Sequence, residues 1–229
     1  MENRFERTER VLGSKALEIL KTKHVMVFGL GGVGGACVEA LARGGVGKLS
    51  IVDNDTVNRS NINRQLIATE STVGMNKTDA SEKRLVDINP NIVIEKYPVF
   101  VTKENAEEVL SSMPDYVIDC IDNVTAKLRI FEVCAEMNIP IISSMGTGNK
   151  IHPEMFEIAP IEKTSVCPLC RVIRKECKDR GLKGIKVLYS KEEPRYATTA
   201  QRTPGSVSFV PPVAGMMLAG YVIRDILKI

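Results

Sequence analysis

Short apolar runs alternate with amphipathic stretches of helical period along most of this chain. Continuous apolar runs at His24–Leu30, Lys48–Asp53, Val93–Val101, Tyr116–Asp122 and Pro140–Met145 have the length of strands buried on both faces. Between them, Ser14–Leu20, Val33–Arg43, Met75–Ile88, Lys103–Ser111 and Val124–Met137 repeat apolar residues at helical spacing. Asn89-Pro90-Asn91 stops one helix and Asn138-Ile139-Pro140 another. This rhythm predicts an α/β fold with a doubly wound, mostly parallel sheet and helices on both faces. After Gly146 the runs shorten to Met155–Ile161, Lys186–Ser190 and Ser206–Val210, which predicts a mixed or antiparallel C-terminal extension. A basic helix is expected over Pro168–Arg180, with Leu169, Val172, Ile173 and Cys177 on its apolar face. One domain over 1–229 is expected, with residues 1–150 as a core and 151–229 as an extension. The charged, threonine-rich loop Ser190–Pro204 is expected to be mobile or ordered by substrate.

The first strand leads into Gly29-Leu30-Gly31-Gly32-Val33-Gly34, a G-x-G-x-x-G spacing with an apolar strand before it and a helix after it. Such glycines serve a tight turn, close approach of backbone to phosphate, and close helix–strand packing, while the helix N-terminus offers N–H groups to an anion. Asp53 closes the next strand, where a carboxylate accepts hydrogen bonds from ribose hydroxyls. Strand, glycine loop, helix and acid together predict a Rossmann-like nucleotide site.

Composition narrows the class. With 229 residues the chain can bury a sizeable core. Met1–Arg10 is charged and lacks the apolar centre of a signal peptide, and the six cysteines at 37, 120, 134, 167, 170 and 177 read as scattered reduced thiols, so a cytoplasmic location is expected. Ser206–Ile223 contains Pro211-Pro212 and then about three turns of apolar helix, short of the roughly 20 residues that span a bilayer; no stable membrane insertion is expected. The net charge of +3 is uneven. Nine basic residues between Arg171 and Arg195 face four acidic ones, a local +5, leaving about −2 for the rest. Either this is a solvated helix face or it receives a polyanion larger than a nucleotide.

The loop after Asp53 carries Asp55, Asn61, Arg64 and Gln65, and Lys77 opens the next helix. Two cations near a glycine-rich helix N-terminus are unnecessary for a nicotinamide ring. They suit a triphosphate attacked at its α-phosphorus, where charge grows on the equatorial and leaving oxygens. Asp122, at the carboxyl edge of its strand, can hold Mg²⁺ against phosphates. Asp119 reads as structural or as a support for Asp122. These segments (Gly29–Gly34, Asp53-Asn54-Asp55, Ser60–Gln65, Val73–Lys77, Asp119–Asn123) resemble the adenylating core of the ubiquitin-activating-enzyme-like (ThiF/MoeB) superfamily. Arg4–Gly13, Lys163–Leu169, Val187–Pro194 and Gly205–Val210 resemble the tRNA threonylcarbamoyladenosine dehydratases within it. The resemblance implies ATP and Mg²⁺, with Asp53 on ribose, Arg64 and Lys77 on phosphates and Asp122 on the metal. Gly29, Gly31, Gly32, Gly34, Asp55, Asn61 and Gln65 would complete the nucleotide site. It implies a homodimer in which an N-terminal arginine, Arg7 by motif alignment, enters the partner's site; Arg4 and Arg10 are contenders.

Cys167-Pro168-Leu169-Cys170 has the spacing of half a zinc site, but only Cys177 follows it, so a zinc ion would need His152 or an outside ligand and structural zinc is not expected. Redox pairing is not expected either, for want of a thioredoxin-like context, and the default for these cysteines is packing. His24 reads as structural. The resemblance implies ATP-dependent cyclisation of threonylcarbamoyladenosine in tRNA through carboxylate adenylation, with a sulfur-relay or acceptor protein as a further partner. The alternatives are adenylation of the C-terminal glycine of a ubiquitin-like sulfur carrier, and a nucleotide-sensing module without turnover.

Overall fold

The computed structural model describes residues 3–194 and 204–229. Seven strands form one sheet: β1 (His24–Phe28), β2 (Lys48–Val52), β3 (Val93–Tyr97), β4 (Tyr116–Asp119), β5 (Ile141–Ser144), β6 (Phe156–Pro160) and β7 (Lys186–Ser190). Their order across the sheet is β3-β2-β1-β4-β5-β7-β6. All neighbours are parallel except β6, which runs antiparallel to β7 at the edge. The helices are α1 (Glu6–Leu12), α2 (Ser14–Lys21), α3 (Gly32–Gly44), α4 (Lys77–Ile88), α5 (Ala106–Leu110), α6 (Val124–Glu136), α7 (Pro168–Asp179) and α8 (Val210–Leu227).

The period of two in the strands divides the core. Met26 and Phe28 of β1 face one apolar cluster with residues of α5, α6 and α7; Val25 and Val27 face a second with α3 and α8. The expected doubly wound sheet is therefore what forms. Strand order turns back between β1 and β4, so their carboxyl ends diverge and leave the crevice in which such sheets bind ligands.

Several bounds differ from expectation. The runs expected to reach Leu30, Val101 and Asp122 leave the sheet after Phe28, Tyr97 and Asp119 and supply loops at its carboxyl edge. Of Lys103–Ser111 only Ala106–Leu110 is helical, because Thr102 and Asn105 bond each other's neighbouring backbone in a turn. Ser206–Val210 is not a strand. The Asn149 N–H donates to the Gly205 carbonyl and the Gly205 N–H to the Asn149 side-chain oxygen, which ties this segment to the loop after β5 and not to a sheet edge. Pro211 and Pro212 stand in the first turn of α8, where the missing N–H costs nothing, so α8 runs 18 residues in place of three turns. By length and apolarity α8 could cross a membrane; it packs along α3, where a Cβ on Gly215 would lie 2.2 Å from the Val33 carbonyl oxygen. On α7, Val172 is exposed, and the buried face is Cys170, Ile173 and Cys177. Part of the Ser190–Pro204 loop lies outside the described residues.

Candidate active site

A cavity of about 530 Å³ opens at the carboxyl ends of β1, β2, β4 and β5. Gly29 turns the chain out of β1 with φ of 83°, and a Cβ there would meet the Cys120 carbonyl at 2.9 Å. Gly34 packs so tightly that a Cβ would lie 1.7 Å from the Gly29 oxygen. Gly31 caps α3, so the helix opens at Gly32 on the cavity wall with its unpaired first turn directed at an incoming anion.

The side chains follow from these turns. Asp53 accepts the Leu30 N–H at 2.6 Å on one oxygen and the Asp55 N–H at 2.8 Å on the other, which fixes the glycine loop against the end of β2. Lys77, buried at the first position of α4, reaches Asp55 at 2.7 Å and Asp53 at 3.7 Å. Arg64 donates to the Ser60 carbonyl at 3.1 Å and to Asn63 Oδ1 at 2.8 Å. It pairs with no carboxylate among the described residues, so its charge stands uncompensated at the cavity. Asn58 and Asn61 cap each other's backbone reciprocally and hold the loop that carries Arg64. Gln65 is buried, and its Oε1 has no hydrogen-bond partner among the described residues.

Asp122, in the loop after β4, lines the same cavity and is exposed. Its loop is set by Asp119, which accepts the Ile121 N–H at 3.1 Å. Asp119 is fully buried with Lys127, whose ammonium contacts it at 2.5 Å and also donates to Ser143 Oγ at 2.8 Å and the Ser144 carbonyl at 3.1 Å. Asp119 is thus structural and also a support for Asp122. Sequence reasoning missed Lys127, because a lysine on an amphipathic helix carries no signal of burial. It also missed the apolar half of the cavity, where Val52, Val99, Phe100, Val101, Ile121 and Ala126 offer a surface suited to a flat heterocycle.

Of the expected site residues, Gly29, Gly31, Gly32, Asp53, Asp55, Asn61, Arg64, Gln65, Lys77 and Asp122 line this one cavity, and Gly34 packs beneath it. Arg7 does not line it. It is exposed on α1, whose neighbours Arg4 and Phe5 touch the Ile88 carbonyl and the vicinity of Gly45, the far ends of α4 and α3. Arg4 caps α4 and Arg10 pairs with Glu6, while Arg7 has no such partner among the described residues. His24 is structural, bonding Ser50 at 2.7 Å, and its pKa is lowered by burial and by Lys48. No group of three or more His, Cys, Asp or Glu able to hold a metal is found among the described residues.

The ThiF family pattern matches residues 5–229. A tRNA threonylcarbamoyladenosine dehydratase of Bacillus subtilis (strain 168) is 40% identical over 244 residues, covering 100% of this chain and 96% of the relative. One from Escherichia coli (strain K12) is 34% identical over 197 residues, 82% of this chain and 74% of its own. The crystal structure of the E. coli tRNA N6-threonylcarbamoyladenosine dehydratase with AMP superposes with a TM-score of 0.93 at 31% identity, covering 98% of this chain and 94% of the other; the same enzyme with ATP gives 0.92. An adenylyltransferase and sulfurtransferase of Vanderwaltozyma polyspora is 36% identical, but over 57% of this chain and 30% of its own length. Motif, cavity and likeness over the full chain agree: this chain belongs to the ThiF family, in the branch that holds the tRNA threonylcarbamoyladenosine dehydratases.

Proposed function

We propose that the protein dehydrates N6-threonylcarbamoyladenosine in tRNA to its cyclic form at the expense of ATP. The observation that carries this is one cavity lined by the Arg64 guanidinium, which has no carboxylate partner among the described residues, by buried Lys77, by the α3 N-terminus and by Asp122. The dehydratase relatives supply the substrate class. The free carboxylate of the threonylcarbamoyl group attacks the α-phosphorus of ATP, and pyrophosphate leaves. A nitrogen or oxygen of the same group then closes on the activated carbonyl and expels AMP. Each step needs alignment and charge stabilisation more than a protein nucleophile.

In this reading Gly29, Gly31, Gly32 and Gly34 let the phosphates approach backbone. Asp53 takes the ribose hydroxyls, and Asn61 and Gln65 complete the polar wall. Arg64 and Lys77 meet the phosphates, Lys77 exchanging its contact with Asp55 for phosphate oxygen. Mg²⁺ fits an isolated hard carboxylate, because it keeps waters and binds substrate phosphates instead of an all-protein cage; Asp122 would hold it. When bound, it neutralises charge on the phosphates. The exposed lysines of α7, Lys175 and Lys178, would contact the tRNA backbone. We further read residues 1–150 as the nucleotide core and 151–229 as a substrate and dimer extension of one cytoplasmic domain, with a sulfur-relay or acceptor protein as a further partner.

The protein would act as a homodimer with Arg7 serving the partner's site. From Gly32 to Gly44, α3 is roughly 20 Å long at 1.5 Å per residue, and α1 sits at its far end, so Arg7 is placed away from its own cavity. The test is ATP turnover to AMP and pyrophosphate with tRNA that carries or lacks threonylcarbamoyladenosine. Stimulation by modified tRNA alone supports the proposal; equal turnover with both contradicts it.

A further inference from the structure

Asn63 stands beside Arg64 in the chain, but it is exposed and does not line the nucleotide cavity. Both ends of its amide are nonetheless used. Oδ1 accepts from Arg64 Nη1 at 2.8 Å, and Nδ2 donates to the Ser206 carbonyl at 3.0 Å. The two partners demand the same orientation of the amide, since a guanidinium only donates and a carbonyl only accepts. Arg64 Nη1 also donates to the Ser60 carbonyl at 3.1 Å. Both hydrogens of Nη1 are thus spent on neutral acceptors, which fix the guanidinium without cancelling its charge. Nε and Nη2 make no hydrogen bond among the described residues. That edge of a guanidinium can meet two oxygens of one phosphate side by side. The stem is confined as well: a Cβ on Gly32, the first residue of α3, would lie 3.3 Å from Arg64 Cγ.

The same amide joins two walls of the cavity. Pro204, Gly205 and Ser206 line it, and the loop after β5 holds this segment from the other side. There the Asn149 N–H donates to the Gly205 carbonyl at 2.8 Å and the Gly205 N–H to Asn149 Oδ1 at 2.6 Å. A Cβ on Gly148 would meet Pro204 Cβ at 2.7 Å. Residues 204–206 therefore form a strap from the loop after β5 to the loop that carries Arg64. Among the described residues, Asn63 makes the one hydrogen bond between that strap and the Arg64 loop. We infer that Asn63 is the positioning residue of the phosphate-binding arginine. Its neutral amide holds one nitrogen of Arg64, leaves the Nε and Nη2 edge and the full charge for ATP, and locks the strap to the same side chain.

This inference rests on the reading of Arg64 as a phosphate ligand, and the Kd for ATP of the whole chain tests the two separately. Asn63→Ala should raise that Kd about three- to tenfold, the scale of one lost hydrogen bond. Asn63→Asp has nearly the same shape, but its carboxylate would pair with Arg64 and face the Ser206 carbonyl without a donor. It should raise the Kd further, roughly ten- to hundredfold, the scale of a hydrogen bond to a charged group. A residue that only filled space would rank the two the other way. In an Arg64→Ala chain, both Asn63 substitutions should add nothing, because the contact they change is already gone. Thermal midpoints should stay near that of the parent, since Asn63 is exposed. If Arg64→Ala weakens ATP binding but Asn63→Ala does not, the inference fails alone. It fails also if Asn63→Asp is the milder change, or if the effects of Asn63 and Arg64 add. An Arg64→Ala chain that binds ATP normally overturns the phosphate role of Arg64 and this inference with it.

Discussion

Lys127 carries its charge where no water reaches, and Asp119 is its only ionic partner among the described residues. Removing one member of a fully buried pair leaves the other charge uncompensated, which costs about 3–5 kcal/mol. Lys127→Met should therefore lower the free energy of unfolding by that amount in urea titrations; a loss near zero would show that Asp119 finds another partner or a proton. Lys77 is a different kind of residue, because its ammonium lies at the cavity as well as beside Asp55. Lys77→Ala should cut turnover roughly 100- to 1,000-fold, as removal of a transition-state donor does, with the thermal midpoint little changed. Near-normal pyrophosphate exchange in that variant would remove Lys77 from the phosphate site. The glycines and cations of this cavity were legible in the sequence because their spacing reports a turn and a helix start. The burial of Lys127 and the orphaned Gln65 acceptor were not, since both depend on which neighbours the fold brings to them.

Among elements, α3 is held from two sides. Gly215 lets α8 approach its backbone, and Glu39 ties it to α4 through Arg84 at 2.5 Å while also accepting from its own Arg43 at 2.8 Å. Burial alone would raise the Glu39 pKa, but the two guanidinium hydrogen bonds outweigh it and leave the carboxyl below its usual range. A carboxylate depressed in the folded state adds stability that is present above the unfolded pKa of about 4.3 and is lost as pH falls through the folded value. The midpoint of thermal unfolding should fall as pH drops below about 4.3, and Glu39→Gln should flatten that fall; an unchanged profile would mean the clamp adds nothing. The alternating strands and amphipathic helices were readable because they face two apolar clusters. α1 was missed because none of its residues is buried, so no periodicity marks it. Ser206–Val210 looked like a strand because it alternates, but Gly205 fastens it to Asn149 and leaves Phe209 half exposed.

For the whole molecule, shared sites and an electrostatic hold on nucleic acid are the claims at stake. If Arg7 serves the partner, mixing Arg7→Ala with Asp122→Asn chains should restore about a quarter of the sites, since half the random dimers carry one intact site each. No recovery after verified subunit exchange would point to Arg4 or Arg10, or to a site closed within one chain. On α7, Arg174 is spent on Thr164 and Arg180 on Glu132 and Glu176. Lys175→Glu with Lys178→Glu should therefore weaken tRNA binding and shallow its salt dependence without altering ATP affinity. The local excess of +5 was visible in the sequence; which cations are free to meet a phosphate required the fold. The central claim is tested most directly by weighing the nucleosides of threonylcarbamoyladenosine-bearing tRNA after incubation with this protein and ATP. The modified adenosine should lose about 18 mass units, the water expelled when an activated carboxylate cyclises, as ATP becomes AMP. An unchanged nucleoside, with ATP spent on adenylating a small protein ending in Gly-Gly, would contradict the account.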